Sequence, residues 1–274
     1  MNTVAATAGS KIARLGAAER ALFGVAALLF AGSAAVTIAW CASMATMGGT
    51  PMPGGWMLSM AWTRMCGQTW LDAGASFVVM WLVMMVAMML PSLVPTLSRY
   101  RHAVDPAGVA PIGWLTVPVV AGYFAVWAVI GAAVFALGIA TASAALRLPA
   151  FARAVPTATG GVVLLAGLLQ FTRWKARHLA CFIAPPGGDR RMRTDLCRAW
   201  RQGLRLGLYC SRCSAGPTAV LLVVGIMDVS AMAIVTAAIT AERLAPAGVP
   251  VARLTGVVAV AAGLLLVARA AGLG

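Results

Sequence analysis

The sulfur-containing side chains of this sequence are concentrated at spacings that could bind a soft metal ion. Five methionines lie within the apolar stretch 77–95, at Met80, Met84, Met85, Met88 and Met89. In a helix, with about 100° per residue, Met80, Met84 and Met88 form one line and Met85 and Met89 a second line beside it. The thioether is a soft ligand that needs no deprotonation, but it is also a flexible packing group. The stripe therefore indicates either a row of metal ligands or adaptable packing.

A second sulfur motif is the C-x-x-C formed by Cys210 and Cys213. Two thiolates at this spacing can chelate one soft metal ion or cycle through a disulfide. Arg205 and Arg212 lie close in sequence and are expected to favour the thiolate forms. The alternative is a pair of cysteines that only pack near the start of a helix. No further Cys or His stands at zinc-finger spacing, so a structural zinc site is not favoured.

The composition is that of an integral membrane protein. The chain has 274 residues, of which 61% are hydrophobic and only 10% charged, whereas soluble domains have about 25% charged residues. The sequence predicts an all-α fold, a polytopic transmembrane helical bundle that forms a single integral membrane domain over 1–274. The net charge of +14 would suggest a nucleic-acid partner in a soluble protein. Here the basic residues stand mainly in short loops, as topology requires in a membrane protein. The lipid bilayer is therefore the expected partner, and a nucleic-acid partner is not expected.

The apolar segments predict six to seven spans. They are Ala21–Trp40, Ala73–Leu90, Trp114–Thr141, Thr157–Phe171, Ser214–Met227, Val229–Thr240 and Leu254–Val267. A span needs about 20 residues, so the first three segments are sufficient by themselves. The fifth and sixth are short, and together they could form a re-entrant pair.

The distribution of Lys and Arg predicts a cytoplasmic N-terminus. Basic residues collect in the tail 1–19 and in the loop 172–202, which are therefore expected in the cytoplasm of a bacterium, at its inner membrane. The segment 41–72 has few basic residues and is expected outside. Lys175 in the basic loop is interpreted as an ordinary positive-inside anchor.

The predicted outer loop 41–72 continues the sulfur bias. It contains Cys41, Met44, Met47, Met52, Met57, Met60, Met65 and Cys66. Thioether clusters of this kind bind Cu(I), but a hydrophobic loop packed on the bundle would have the same composition. Cys41 and Cys66 could form a disulfide or serve as ligands.

Three polar residues near the later spans have expected structural roles. Glu242 is expected to form an interfacial ion pair with Arg243 or another neighbour, and Asp228 to act as a turn or cap residue. Gln170 is expected to be buried and to need a hydrogen-bond partner.

Three separated motifs resemble the bacterial family of predicted metal-binding integral membrane proteins, which is usually classed as a domain of unknown function. The first is W-x-x-M-x-x-A-M-M-x-P, from Trp81 to Pro91; the second runs from Gln170 to Lys175 and on to Cys181; the third is Gly203-x-x-x-Gly207-x-x-Cys210-x-x-Cys213 with Gly225, Met227 and Glu242. The resemblance covers roughly 72–242. Where the family often has further cysteines, this chain has Ala184 and Ser214. The resemblance implies metal ligands at Met84, Met88, Met89, Cys181, Cys210 and Cys213, and the loss of two thiols places more weight on the methionines.

Together these observations predict a membrane protein that binds a soft metal, with Cu(I) the best match, and they favour a binding role over an enzymatic one. Its role would be metal transport, delivery or metalloprotein assembly, with a metal donor or acceptor protein as partner. Met44 and Met47 would belong to the outer collecting segment. One alternative is a membrane thiol–disulfide oxidoreductase that uses Cys210 and Cys213; another is a non-catalytic membrane scaffold subunit whose methionines only pack.

Overall fold

The computed structural model describes residues 2–46, 48–64, 67–104, 112–183, 196–245 and 248–272. Within these ranges the chain forms nine α-helices, one short 3-10 helix at Met60–Trp62 and one two-stranded antiparallel sheet. The elements are α1 Asn2–Thr46, β1 Gly49–Met52, β2 Trp56–Ser59, α2 Trp70–Val104, α3 Ile112–Arg147, α4 Pro149–Leu169, α5 Arg173–Ile183, α6 Leu196–Cys213, α7 Ala215–Val224, α8 Val229–Leu244 and α9 Gly248–Ala270. The predicted helical class is confirmed, and the β-hairpin was not predicted.

Five of the described helices are long and apolar enough to cross a membrane. These are α1 from Glu19, α2, α3, α4 and α9. The pair α6 and α7 passes the same test together but is bent by 63° at its break, which brings the possible number of spans to six. Helix α8 has 16 residues, fewer than the roughly 20 that a span needs. The number of described helices that could span, five or six, overlaps the predicted range of six to seven spans only at six.

The β-hairpin packs on the junction between α3 and α4. The indole Nε1 of Trp56 donates to the carbonyl oxygen of Ala152 at 2.9 Å. Met52 and Leu58 are buried against Ala142 and Ala152. Met52 is therefore a packing residue, which agrees with the interpretation of the predicted outer loop 41–72 as a hydrophobic loop packed on the bundle. Met65 and Cys66 lie outside the described residues, so the Cys41–Cys66 question stays open.

The opposite end of the bundle joins α1, α2 and α5. Ser98 Oγ lies 3.3 Å from Glu19 Oε1, and an Arg99 guanidinium nitrogen lies 3.4 Å from the Ile183 carbonyl oxygen. The segment predicted as the basic loop 172–202 is helical over much of its length, since α5 fills its first part and α6 begins at Leu196.

Glycine allows α3 and α6 to approach closely. A Cβ atom on Gly207 would lie 2.9 Å from the Tyr123 carbonyl oxygen, closer than Cβ atoms come in proteins. Small residues at helix crossings are the usual means of close packing in membranes. One turn beyond Gly207, this approach brings Cys210 beside the Tyr123 side chain.

The connection between α7 and α8 is a short turn. Gly225 adopts φ +153°, a conformation that suits glycine. The Asp228 carboxylate then accepts a hydrogen bond from the Ala231 amide at 2.9 Å. Asp228 is thus the N-cap of α8, which confirms its predicted role.

Candidate metal centre

The two cysteines of the C-x-x-C motif lie on the last turn of α6, inside the bundle. Cys210 is 0% and Cys213 2% exposed. Their spacing places them on one face of the helix, and α6 ends immediately after them at the bend before α7. Ser214 occupies the bend and donates its hydroxyl to the Cys210 carbonyl at 2.7 Å. The break in the helix therefore coincides with the thiol pair.

A methionine of α2 completes a group of three sulfur atoms. Met89 Sδ lies 3.9 Å from Cys210 Sγ, and the Met89 side chain is fully buried. We call Met89, Cys210 and Cys213 the sulfur cluster. It combines two thiols and one thioether from two helices that are far apart in sequence.

The guanidinium of Arg243 lies against all three sulfur atoms. Its Nη2 is 3.1 Å from Cys210 Sγ and 3.3 Å from Cys213 Sγ, and its Nη1 is 3.7 Å from Met89 Sδ. Nη1 also donates to Ser92 Oγ at 2.9 Å, and the guanidinium carbon lies 4.3 Å from the centre of the Phe182 ring. The Tyr123 hydroxyl lies 2.8 Å from Cys210 Sγ.

Arg243 is a buried cation whose neighbours are thiols instead of carboxylates. Its side chain is 5% exposed, and in the part of the chain that the structure describes no Asp or Glu forms an ion pair with it. A buried charge without a counter-ion costs several kcal/mol. The counter-ion that the geometry offers is therefore a thiolate of the sulfur cluster.

A polar network lies behind the sulfur cluster. Lys175 Nζ pairs with Glu242 Oε2 at 2.7 Å, and both side chains are buried. Glu242 Oε1 accepts from Thr255 Oγ1 at 2.7 Å and from Gln170 Nε2 at 3.2 Å. Lys175 also donates to the carbonyl oxygen of Cys213. Every charge in this network has a partner, and the network is attached to the backbone of the thiol pair.

Three expectations from the sequence were wrong here. Glu242 forms an ion pair as expected, but its partner is Lys175 instead of Arg243, and the pair is buried instead of interfacial. Lys175 is accordingly not a solvated anchor. Arg205 and Arg212 are exposed, and Arg243 takes the place expected of them beside the thiols. Gln170, as expected, is buried and hydrogen-bonded.

The donor set fits a soft monovalent ion. Among the described residues no three His, Cys, Asp or Glu side chains converge on one point, so a tetrahedral zinc site is not built here. Thiolates with thioethers are the ligands that select Cu(I). Cu(I) bound to two thiolates carries a net charge of −1, and the guanidinium of Arg243 would neutralise it.

The remaining predicted ligands are distributed over several places. Met88 is 2% exposed and lies in the same core as the sulfur cluster. Met84 lines a separate cleft together with Cys41. Cys181 on α5 and Met44 on α1 are half-buried, and the described contacts do not join them to the sulfur cluster. Met47 lies outside the described residues.

Sequence reasoning missed Arg243, Tyr123 and Ser92 as neighbours of the thiols. A signal existed for the first of these. Glu242 and Arg243 are two adjacent charges at the end of an apolar segment, and buried charges in membrane helices usually have specific partners. Nothing in the sequence pattern singled out the other two.

Comparison with known proteins agrees with a copper-handling role. No curated protein and no solved structure matches the chain significantly. A family model described as PpoB2, copper chaperone, matches residues 78–266. This range contains the sulfur cluster, Arg243 and the polar network, and the predicted relation to a metal-binding family is confirmed in this general form. Because the match covers more than half of the chain, the chain belongs to the PpoB2 copper chaperone family.

Proposed function

We propose that this protein is an integral membrane copper chaperone of the bacterial inner membrane that carries Cu(I) at the sulfur cluster and delivers it to an acceptor metalloprotein. Copper is the cargo of the protein and is held by Cys210, Cys213 and Met89. The observation that supports this most directly is the buried guanidinium of Arg243, which faces two thiols and, among the described residues, no carboxylate. Membership in a copper chaperone family supports the choice of metal.

Charge balance is compatible with occupation by one Cu(I). One thiolate and one thiol beside Arg243 give a net charge of zero in the empty site. Two thiolates with Cu(I) and the guanidinium also sum to zero, so Cu(I) can replace the remaining thiol proton without leaving a net buried charge. The polar network is neutral on its own, so it does not alter this sum.

Cargo exchange needs no change in oxidation state. Binding forms Cu–S bonds as the thiols lose their protons, and delivery breaks these bonds as an acceptor supplies its own ligands. Tyr123 is placed to hold the Cys210 sulfur through its hydroxyl. Phe182 and the surrounding apolar side chains keep water from the site.

The test is Cu(I) titration of the purified, detergent-solubilised protein under anaerobic conditions, against a chromogenic Cu(I) chelator. The double variant Cys210→Ser/Cys213→Ser is expected to bind one equivalent fewer than the wild type. The control Cys181→Ser/Cys197→Ser removes two thiols outside the sulfur cluster and is expected to bind as the wild type does. A folded Cys210→Ser/Cys213→Ser variant with unchanged stoichiometry and affinity would refute the proposal.

The same variants distinguish the two alternatives. A thiol–disulfide oxidoreductase would contain a partly oxidised Cys210–Cys213 pair in cells, which thiol trapping detects. A scaffold subunit whose methionines only pack would bind no Cu(I) tightly in any of these forms.

A further inference from the structure

A second group of sulfur side chains lines a cleft between α1, α2 and the turn before α8. Four of its lining residues carry sulfur, namely Cys41, Met80, Met84 and Met227, and Trp40 and Ile226 are among the others. The cleft has about 10 Å³ of space, which is room for one water-sized group or a single ion. It is distinct from the sulfur cluster, none of whose residues line it.

The four sulfur side chains come from three separate parts of the chain. Cys41 is on α1, Met80 and Met84 are one turn apart on α2, and Met227 is in the turn between α7 and α8. Native packing leaves few gaps larger than a water molecule. The gap that these side chains line is of that size, so it would hold a single ion and nothing larger.

The cleft has a buried side and an accessible side. Cys41 and Met84 are 5% and 3% exposed, whereas Met80 and Met227 are partly exposed. Asp228 directly follows Met227 and is exposed, so a carboxylate stands beside the cleft and would attract a cation. An ion could therefore enter past the two methionines and reach the thiol.

We propose that this cleft is a second Cu(I) site, in which Cys41 and the thioethers of Met80, Met84 and Met227 load copper before it reaches the sulfur cluster. This inference rests on the proposed function as a Cu(I) carrier. One thiolate with Cu(I) is neutral, so the cleft needs no counterpart of Arg243. The loading site extends the copper chemistry to α1, which lies outside the range that the family model matches.

The methionines of α2 connect the two sites. Met84 and Met89 are separated by about 7.5 Å along the helix axis, and Met85 and Met88 lie between them, both buried. Successive thioethers would accept Cu(I) in turn without any deprotonation. On loading, the Cys41 thiol releases one proton; on transfer its Cu–S bond breaks, it regains a proton, and the ion remains Cu(I).

The experiment compares Cu(I) stoichiometry in matched variants of the full chain. The cleft variant is Met80→Leu/Met84→Leu, and the control is Met52→Leu/Met57→Leu in the β-hairpin. Met→Leu conserves volume, so both double variants are expected to fold as the wild type does. We expect two equivalents for the wild type and the control, one for the cleft variant, one for Cys210→Ser/Cys213→Ser, and none for the combination.

The outcomes separate this inference from the proposed function. A cleft variant that still binds two equivalents of Cu(I) would overturn the loading site. So would a wild type that binds only one equivalent, if that equivalent is lost in Cys210→Ser/Cys213→Ser. In both cases the sulfur cluster would still stand. A third outcome would refute the proposed function and leave the loading site standing. In it, the cleft variant loses one equivalent of Cu(I), whereas Cys210→Ser/Cys213→Ser binds as much Cu(I) as the wild type.

X-ray absorption on the Cys210→Ser/Cys213→Ser protein gives a second readout. With the sulfur cluster removed, the remaining Cu(I) is expected to have sulfur neighbours only. Adding Cys41→Ser is expected to replace one sulfur neighbour by a lighter atom or to abolish binding. A spectrum that does not change on this addition would overturn the loading site.

Discussion

Neutralising Arg243 is expected to weaken Cu(I) binding at the sulfur cluster strongly. Its Nη2 lies 3.1 Å from Cys210 Sγ and 3.3 Å from Cys213 Sγ. A unit positive charge about 4 Å from a unit negative charge contributes about 4 kcal/mol at an effective dielectric constant of about 20. This would correspond to about a thousandfold in affinity. Loss of an outer partner at a metal site usually costs about 10- to 100-fold, because neighbouring groups adjust.

We therefore expect Arg243→Met to reduce Cu(I) affinity by about 100-fold and Arg243→Lys by less than about tenfold. Methionine fills much of the same space without a charge, whereas lysine keeps the charge and loses the planar contacts to both sulfur atoms. The control is Arg253→Met, which removes an exposed positive charge from α9 and is expected to leave the affinity unchanged.

The assay is competition with a Cu(I) chelator in detergent, after size-exclusion chromatography has shown that each variant is folded. The result must also be insensitive to salt, because a buried charge pair is little screened. If folded Arg243→Met protein bound Cu(I) as tightly as the wild type, the charge-balance reasoning would be wrong. An equal loss in Arg243→Met and Arg243→Lys would show that hydrogen-bond geometry, and not charge, is the property that matters.

Three further predictions concern the network, the helix packing and the proton balance. Glu242→Gln leaves Lys175 buried without its counter-ion and is expected to destabilise the protein by about 3–5 kcal/mol. Thermal unfolding in detergent would measure this change. The double variant Glu242→Gln/Lys175→Met should recover part of the lost stability. Gly203→Ala would place a methyl group against the Val119 carbonyl of α3 and is expected to lower the melting temperature. Its control is Gly161→Ala, because a Cβ atom at Gly161 meets nothing within 4 Å. This control should leave the melting temperature unchanged or raise it. Cu(I) affinity should fall as pH falls, by about tenfold per pH unit for each thiol that loses a proton on binding; a titration between pH 6 and pH 8 with no change in affinity would contradict ligation by the thiols.

The sequence was sufficient to predict the helical class, and it singled out Met89, Cys210 and Cys213, which the structure brings together. Apolar segments of membrane length are a strong local signal, and the two lines of methionines on α2 follow from helix geometry alone. The structure gives these lines different surroundings. Met80 and Met84, from the first line, face the cleft, whereas Met89, from the second, belongs to the sulfur cluster. Periodicity could separate the lines but could not say what each one faces.

The errors concern residues whose roles depend on contacts between distant helices. The positive-inside rule treats Lys175 as an anchor because it stands beside a span, but its partner Glu242 is 67 residues away. The bend after Cys213 and the β-hairpin also depend on packing against other elements. Such contacts leave no periodic trace in one sequence, so only the tertiary structure identifies them.

Glu242 and Arg243 are consecutive residues of α8, yet one belongs to the polar network and the other to the sulfur cluster. Neighbouring side chains on a helix point about 100° apart, so one short helix reaches both places. A small rotation or slide of α8 would withdraw the positive charge from the thiols and, in the same movement, separate the carboxylate from Lys175. Under the proposed function, affinity for Cu(I) and the stability of the bundle are both tied to the position of a single helix. An acceptor that displaced α8 would loosen the ion without touching any of its sulfur ligands.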